Sequence, residues 1–300
     1  MKEIASLANV SIATVSYVLN NVNNQTIPDS TRSEILRIAK EHHYVPNLAA
    51  RSLTNKKTGL IGILVNRPPH MPYWKRENYH SFIDGLERLL TDAGYHTILL
   101  SLNANNPSLE VITARTLEAV FLVDVREEVF YSISTHFVKG VPLILIDSMI
   151  EDQLFKHIYY DYASALTLAA PTDLSNVCLI MENFNNSLLV HHILDVLNLP
   201  KDAIFILNTT SDLDSIPRDT PYTTAIVINE FIGNAVERLN IFSNISVICT
   251  CHCPEILSST TKKITFQEDK SVTAFQLMSE LLHKHEYNDH DRNTYEIKVK

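Results

Sequence analysis

The chain has 300 residues, of which 45% are hydrophobic and 20% are charged, so it can bury a large core and is expected to form more than one domain. No run of eighteen apolar residues occurs and the N-terminus lacks a basic-then-apolar signal pattern, which argues against membrane contact and predicts a cytoplasmic location. Residues 1–57 carry a formal charge of +3, which leaves −12 for the remainder because the total is −9. A basic segment joined to an acidic body confines attraction for phosphate groups to the N-terminus.

The first 45 residues are predicted to form three short helices. Asn9-Val10 interrupts the helical spacing after the first helix, and Ser11 followed by Thr14 is typical of an N-cap that opens the second. The third helix is expected to begin at Pro28-Asp29-Ser30, after the Asn-rich turn from Asn20 to Gln25. The residues expected to close a small shared core are Ile4, Leu7, Ala8, Val15, Val18, Leu19, Ile35, Leu36, Ile38 and Ala39.

A signal that ends the third helix and a linker follow this small domain. Tyr44-Val45-Pro46-Asn47 is expected to end the third helix, because the residue before a proline is pushed out of the helical region. The segment from Leu48 to Leu53 is compatible with another short helix, and the segment from Asn55 to Gly59 is typical of a linker.

From Leu60 onward, apolar runs alternate with amphipathic stretches, of which Phe82 to Leu90 is predicted to be helical. Such runs, separated by helical segments, indicate parallel sheets covered on both faces, and hence a doubly wound α/β body. A body of this length is expected to form two lobes, with a ligand cleft at the carboxyl ends of the strands. The predicted strands are Leu60 to Val65, Tyr95 to Leu100, Ala119 to Val123, Pro142 to Ile146, Val177 to Met181, Ala203 to Leu207, Ala225 to Ile228 and Ile245 to Ile248.

The N-terminal motifs resemble those of the lac repressor/galactose repressor (LacI/GalR) family. The resemblance is strong over about residues 1 to 66, and the body follows the family in outline as a two-lobed fold similar to periplasmic sugar-binding proteins. It implies a helix-turn-helix head at residues 1–45, a hinge helix and linker at 46–58 and a two-lobed effector-binding and dimerisation domain at 59–300. The motifs are Ile4-Ala5, Ala8-Asn9-Val10-Ser11, Thr14-Val15-Ser16, Val18-Leu19-Asn20, Thr31-Arg32, Tyr44-Val45-Pro46-Asn47 and Ala50-Arg51-Ser52-Leu53.

The resemblance identifies the second helix as a recognition helix for the major groove of DNA. Its outward residues are expected to be Ser11, Ile12, Ala13, Ser16 and Tyr17. Ile12 and Ala13 could offer base edges only apolar contact, for instance with thymine methyl groups, whereas Tyr17 can form one hydrogen bond. The residues expected to bind phosphates and set the register are Thr14, Ser16, Asn20 and Thr31.

The same resemblance implies a hinge helix that enters the minor groove. Leu53 stands at the position of a leucine that pries open the central base step, while Asn47, Ala50 and Arg51 belong to the same hinge set. Two such wedges must act side by side, so the expected partners are a near-palindromic operator in double-stranded DNA and a second copy of this chain. The implied function is that of a DNA-binding transcription regulator, a repressor controlled by a small-molecule effector such as a sugar or sugar phosphate.

Two regions depart from the family pattern. The first helix starts at Met1-Lys2-Glu3 without the usual Thr cap, so its end is expected to be uncapped and frayed. In the body, Asp147, Asp161 and Asn229 match family positions near the effector, but Thr167 replaces a common arginine and Cys251 replaces an aspartate. The altered cleft leaves open a non-sugar effector, an unusual sugar or DNA binding that needs no effector.

Two further clusters invite a ligand hypothesis. Cys249, Cys251, His252 and Cys253 are residue types that bind zinc, yet buried packing explains free cysteines more simply, with a reactive thiol as a third option, so no metal is predicted. The aromatic residues of Tyr73-Trp74-Lys75-Arg76 are expected to precede the first helix of the body at the cleft rim, where Tyr73 or Trp74 could stack on a sugar.

The sequence offers no support for catalysis or for a cofactor. It has six glycines in all and lacks a P-loop, a glycine-rich dinucleotide turn and a Ser-His-Asp order, so only Asp147, Asp161 and Glu230 are candidate acid-base residues. The histidines His191, His192, His283, His285 and His290 are expected to be surface residues. The alternative function is a solute-binding or sensor protein with an inactive DNA-binding head, although the hinge set has no role in such a protein.

Overall fold

A computed structural model describes residues 1–19, 26–42, 58–68, 70–102, 116–137, 140–283 and 292–300. The chain divides into two compact units, Met1–Thr58 and Gly59–Lys300, which are described separately below. In the described ranges, no helix is both long and apolar enough to cross a membrane.

The N-terminal unit contains the helices α1 (Lys2–Leu7), α2 (Ile12–Leu19) and α3 (Asp29–Glu41). Asn9 adopts a left-handed backbone (φ 52°) between α1 and α2, which an asparagine tolerates better than most residues and which turns the chain sharply. The buried core comprises Ile4, Ala5, Val15, Val18, Ile35, Ile38 and Ala39.

The expected core of this unit is confirmed except at two leucines. Leu7 and Leu36 are 53% and 48% exposed, so their placement in the core is wrong. The buried stripes run through Ile4 and Ala5 in α1 and through Ile35, Ile38 and Ala39 in α3, and the 3.6-residue period turns the two leucines away from them. Helix α1 begins after Met1 without a side-chain cap, as expected.

The first lobe of the body contains β1 (Leu60–Asn66), α4 (Tyr73–Asp92), β2 (His96–Leu102), β3 (Ala119–Val123), α5 (Glu127–Ser134), β4 (Leu143–Ile146), β5 (Lys156–Tyr160), α9 (Lys270–His283) and β11 (Thr294–Ile297). Its strands form a six-stranded parallel sheet in the order β11-β5-β4-β3-β1-β2. Helix α4 packs on one face through Phe82, Leu86 and Leu90, and α5 packs on the other through Phe130 and Ile133.

The second lobe contains α6 (Tyr162–Ala169), β6 (Val177–Glu182), α7 (Ser187–Leu194), β7 (Ile204–Leu207), β8 (Thr224–Ile228), α8 (Glu230–Leu239), β9 (Asn244–Ile248) and β10 (Lys262–Ile264), with short 3-10 turns at Lys201–Ala203, Thr210–Ser215 and Pro254–Ile256. Its strands form a five-stranded parallel sheet in the order β10-β9-β8-β6-β7. Alternate residues of β6 face opposite layers, because Leu179 packs with α7 whereas Cys178 and Ile180 pack with α8.

The predicted fold class and all eight predicted strands are confirmed to within a few residues at their ends. The sequence does not predict β5, β10 and β11, because charged or polar residues break up their apolar pattern, namely Lys156, His157, Lys262 and Glu296. Lys156 nevertheless lies in a buried strand, since its ammonium group donates to the carbonyl oxygen of Arg292 at 3.0 Å. Helix α4 begins at Tyr73 rather than near Phe82, because polar residues of its first turns are buried by pairing.

Candidate nucleic-acid interface and inter-lobe cleft

Helix α2 begins with the N-cap that the sequence predicts. The Ser11 Oγ atom accepts a hydrogen bond from the Thr14 backbone N–H at 3.0 Å and lies 2.9 Å from the Thr14 hydroxyl. This cap satisfies a backbone donor that the first turn of a helix would otherwise leave unpaired. The Thr14 hydroxyl is therefore held in place at the start of the helix.

One face of α2 anchors the helix and the opposite face is exposed. Val15 and Val18 are almost fully buried against α1 and α3, whereas Ile12 and Tyr17 are 47% and 37% exposed. Ser11 and Ala13 are also exposed, and Thr14, Ser16 and Thr31 are half-buried. The exposed face thus presents two large apolar or aromatic side chains beside small ones, which suits contact with base edges.

The predicted phosphate-binding residue Asn20 and the hinge residues Asn47, Ala50, Arg51 and Leu53 lie outside the described residues.

One of the basic side chains in the N-terminal unit, Arg37, is already paired with acidic residues of its own helix. The guanidinium group of Arg37 donates to Glu34 and Glu41 on the same helix at 2.6 Å each, which raises the Arg37 pKa above its ordinary value. These exposed pairs leave Arg37 poorly placed to contact phosphate.

Polar residues at the carboxyl ends of six strands form a buried cluster between the two lobes, which we call the inter-lobe cleft. Parallel strands that end at one edge bring such residues together, as the sequence predicts for a ligand site. The Asn66 amide donates to the Asp124 carbonyl oxygen at 3.1 Å, and the Asn229 amide donates to Glu182 at 3.2 Å. The members are Asn66, Asp124, Asp147, Glu182, Asn229 and Cys251, each at most 3% exposed.

The backbone at three of these positions is left-handed. Asp124, Asp147 and Asn229 have φ values of 51°, 49° and 86°, which are uncommon for residues other than glycine and occur most often in Asp and Asn. The side-chain oxygen of Asn229 also accepts the Phe231 N–H at 2.9 Å and so caps helix α8. Strain of this kind is often stored at ligand or switch sites.

Two buried lysines bring positive charge into the cleft. The Lys75 ammonium group, from the first turn of α4, lies 2.7 Å from the Asp124 carboxylate, and Lys270, from α9, pairs with Asp147. Both lysine side chains are at most 6% exposed, so each pair is shielded from solvent. Buried charges of this kind are tolerated only when they are paired.

Among the residues that the structure describes, Glu182 forms no ion pair comparable to these two. Its Oε1 atom accepts hydrogen bonds from Asn78 and Asn229, each at 3.2 Å. Burial raises the pKa of Glu182 to about 7, although Lys75 and Asn229 act in the opposite direction. Burial likewise raises the pKa of Asp147 despite its partner Lys270. Burial therefore disfavours the ionised form at both Glu182 and Asp147.

The structure brings together some of the predicted effector-site residues and separates others. Asp147, Asn229 and Cys251 lie in the cleft, where the Asn229 amide is 3.6 Å from the Cys251 sulfur. Asp161 instead caps α6 through Ser164 and pairs with Lys298 at 2.9 Å. Thr167 is exposed on α6, and its hydroxyl donates to the Ala163 carbonyl oxygen of the same helix at 2.7 Å.

Tyr73 and Trp74 do not lie in a loop before the first helix, so that expectation is wrong. They form the start of α4, and the Trp74 ring is fully buried in the core of the second lobe with Ile180, Val227 and Cys249. The half-buried Tyr73 meets Phe231 edge-on at 6.4 Å. Hydrophobic burial across the lobes, which local sequence cannot show, decides both positions.

The cysteines are dispersed by strand alternation. Cys178 and Cys249 pack in the apolar core of the second lobe, where burial raises the pKa of each to about 12, and Cys251 points to the cleft. Burial also raises the pKa of Cys251, which keeps it a thiol. Within the described ranges, no group of three or more His, Cys, Asp or Glu residues is placed to hold a metal ion.

The remaining candidate carboxylate, Glu230, has a structural role. It accepts backbone hydrogen bonds from Thr250, Cys251 and Cys253 at 2.8 to 3.0 Å and so holds the loop after β9. The expectation of surface histidines also needs correction at His192, which is half-buried and meets the Tyr159 ring at 5.7 Å, whereas His285 and His290 lie outside the described residues.

Sequence analysis missed several cleft residues. Asp124 and Glu182 directly follow predicted strands, as Asp147 does, so the rule that singled out Asp147 would have found them. No comparable signal marked Lys270, which reaches Asp147 from a helix 123 positions further along the chain. Lys75 belongs to the aromatic and basic stretch Tyr73-Trp74-Lys75-Arg76, in which only the aromatic residues suggest a ligand contact.

The chain is similar to known proteins in two ways, over part of its sequence and over the whole of its fold. Residues 1–47 match the family model of bacterial regulatory proteins, lacI family. The chain is 35% identical over 120 residues to the sucrose operon repressor of Klebsiella pneumoniae, and 28% identical over 170 residues to catabolite control protein A of Staphylococcus xylosus. These matches cover 40% and 54% of this chain but only 34% and 48% of those proteins, so the chain spans less than half the length of the relatives that it matches.

The fold extends the similarity to the whole chain. The crystal structure of the lac repressor dimer bound to operator and the anti-inducer ONPF is similar with a TM-score of 0.69 and 13% identity. The similarity covers 99% of this chain and 95% of that one. The first 47 residues thus match the lacI family model in sequence, and the whole chain shares the fold of the lac repressor.

Proposed function

We propose that this protein is a sequence-specific DNA-binding transcription regulator that acts as a repressor. The observation that carries the proposal is helix α2, which is capped by Ser11 and anchored by Val15 and Val18 while Ile12 and Tyr17 remain exposed. A helix held by one face and free on the other fits the major groove of DNA.

In this proposal the contacts of α2 divide into two kinds. Ile12 and Ala13 provide apolar contact with thymine methyl groups, and the Tyr17 hydroxyl forms a single hydrogen bond with a base edge. Thr14, Ser16 and Thr31, together with Asn20, bind phosphate oxygens and fix the register. Such a set reads few bases directly, so specificity depends strongly on a second element.

That second element is the hinge set Asn47, Ala50, Arg51 and Leu53. Paired Leu53 side chains from two copies of the chain would open a central base step in the minor groove, at a cost of a few kcal/mol that contacts with bent DNA offset. The protein would therefore act as a homodimer on a near-palindromic operator. The support for this element is the sequence resemblance alone.

We propose that the two-lobed body controls DNA binding and carries no enzymatic activity of its own. Asp147, Asn229 and Cys251 lie at the strand ends where α/β proteins bind ligands, which supports a small-molecule effector such as a sugar or sugar phosphate at this cleft. Binding there would alter DNA affinity only by favouring one arrangement of the lobes over another. A cytoplasmic location follows from this function.

Fluorescence anisotropy with labelled DNA tests the proposal. The full chain is titrated against a duplex from its own promoter region and against a scrambled duplex over a range of salt concentrations. Tyr17→Ala is expected to weaken specific binding by about tenfold, as for the loss of one base contact. Tyr131→Ala, at an exposed tyrosine of α5 in the body, serves as the matched control and should change nothing.

Equal affinity for the promoter and scrambled duplexes would contradict the proposal and favour a solute-binding or sensor protein. Leu53→Ala separately tests the hinge, because a wedge contributes only where the DNA is bent. The substitution should weaken specific binding more than non-specific binding. An equal loss in both would refute the wedge role of Leu53.

A further inference from the structure

The first turn of α4 carries a side chain that bridges the two lobes. The Lys75 ammonium group lies 2.7 Å from the Asp124 carboxylate of the first lobe and donates to the carbonyl oxygen of Asn183 in the second lobe at 2.8 Å. It also lies 5.8 Å from the centre of the Tyr79 ring. A single buried positive charge thus contacts both lobes at once.

The carboxylate that pairs with Lys75 is itself a bridge. Asp124 accepts hydrogen bonds from the backbone N–H of Asn185 at 2.8 Å and from its side-chain amide at 2.7 Å. The neighbouring Asn186 amide donates to the carbonyl oxygens of Val125 at 3.2 Å and Met149 at 2.9 Å in the first lobe. The lobes are therefore joined by several buried polar contacts around one ion pair.

Trp74 anchors the same turn of α4 in the second lobe. Its ring is fully buried in the apolar core of that lobe, although the residue belongs to a helix of the first lobe. Its carbonyl oxygen accepts a hydrogen bond from the Asn229 amide at 3.4 Å, and Asn78, one turn further along, donates to Glu182. One end of this helix thus places an indole in the core of the second lobe and an ammonium group between the two lobes.

We propose that Trp74 and Lys75 form a built-in ligand of the inter-lobe cleft, which holds the two lobes closed without a small molecule. A tethered group is always present at a high effective concentration, so it occupies its site more fully than a diffusing ligand of equal intrinsic affinity. The group that the cleft recognises is a primary ammonium placed among the carboxyl groups of Asp124, Asp147 and Glu182. If the proposed function holds, an effector would have to displace the Lys75 ammonium group from this cleft before it could change DNA affinity.

The single tryptophan of the chain reports on closure directly, because opening the lobes would expose Trp74. The full chain, unfolded and refolded to remove bound molecules, should show blue-shifted emission and protection from acrylamide. Lys75→Ala should shift the emission to the red, raise quenching severalfold and lower the melting temperature by about 10 °C, because it leaves a buried carboxylate unpaired. Lys201→Ala, at an exposed lysine in the second lobe, should do none of these.

Chemical rescue separates a ligand role from general destabilisation. Propylamine at tens of millimolar should restore the protected emission of Lys75→Ala, whereas propanol at the same concentration should not. Failure of rescue in a folded variant would overturn the proposal, as would exposed Trp74 in the refolded wild type. If Lys75→Ala does not fold, Asn185→Ala removes a neutral bridge, and unchanged quenching in that variant would count against the proposal. These readouts involve no DNA, so their failure is distinguishable from failure of the proposed function.

Discussion

The raised pKa of Glu182 makes a quantitative prediction for Glu182→Gln. In the folded protein burial raises this pKa to about 7, from an ordinary value of 4.5. The folded state therefore binds a proton that the unfolded chain releases between these two pH values. Protonation of Glu182 therefore contributes its full stabilisation below pH 4.5, and this stabilisation is lost as the pH rises through 7. The difference between the two pKa values corresponds to about 3 kcal/mol in free energy of unfolding. Glutamine mimics the protonated acid and still offers an oxygen to Asn78 and Asn229.

Urea unfolding of both proteins at pH 5 and pH 8 measures the effect. The variant should exceed the wild type by about 3 kcal/mol in free energy of unfolding at pH 8, and by less than about 1 kcal/mol at pH 5. Other titrating groups remain in both proteins, so they largely cancel in the difference. Glu151→Gln, at an exposed carboxylate in a loop, serves as the control and should leave the free energy of unfolding nearly unchanged. If the variant and the wild type differ in free energy of unfolding by the same amount at both pH values, the raised pKa of Glu182 is refuted.

Three further substitutions test local features. Ser11→Ala removes the cap that accepts the Thr14 N–H, so it should lower the stability of the N-terminal unit by about 1 kcal/mol in thermal unfolding and weaken DNA binding in the same titration. Gly233→Ala would place a methyl group 2.7 Å from Val247, so a loss of about 1 to 3 kcal/mol is expected, and an unchanged urea midpoint would contradict the packing. Burial lowers the pKa of His157 to about 4, so its neutral form stabilises the fold above pH 6.5 and this contribution is lost as the pH falls to 4; in urea unfolding, His157→Leu should therefore gain about 3 kcal/mol relative to the wild type between pH 6.5 and pH 4.

Local sequence patterns predict both the helical N-terminal unit and the α/β body. The 3.6-residue spacing around Val15 and Val18 and the Ser11 cap predict the second helix, because local backbone propensities and one buried stripe suffice to form it. Continuous apolar runs such as Ala119 to Val123 predict parallel strands, because strands covered on both faces exclude polar side chains. The confirmed fold class follows from these two periodicities.

Polar residues in buried elements escaped the same patterns. The strand β5 contains Lys156 and His157, and the first turns of α4 contain Lys75 and Asn78, which hydropathy alone assigns to the surface. Each is buried because a partner distant in sequence accepts its hydrogen bond or pairs with its charge. Hydropathy patterns carry no information about such partners.

The sequence by itself therefore determined the three-helix head, the alternation of strands and helices, and the placement of Asp147 and Asn229 at strand ends. Only the tertiary structure decided what occupies the cleft between the lobes. Trp74 belongs to a helix of the first lobe yet packs in the core of the second, and Lys75 pairs with Asp124 while it donates to Asn183. The physical reason is that burial and charge pairing act between residues brought together by folding, whatever their separation along the chain.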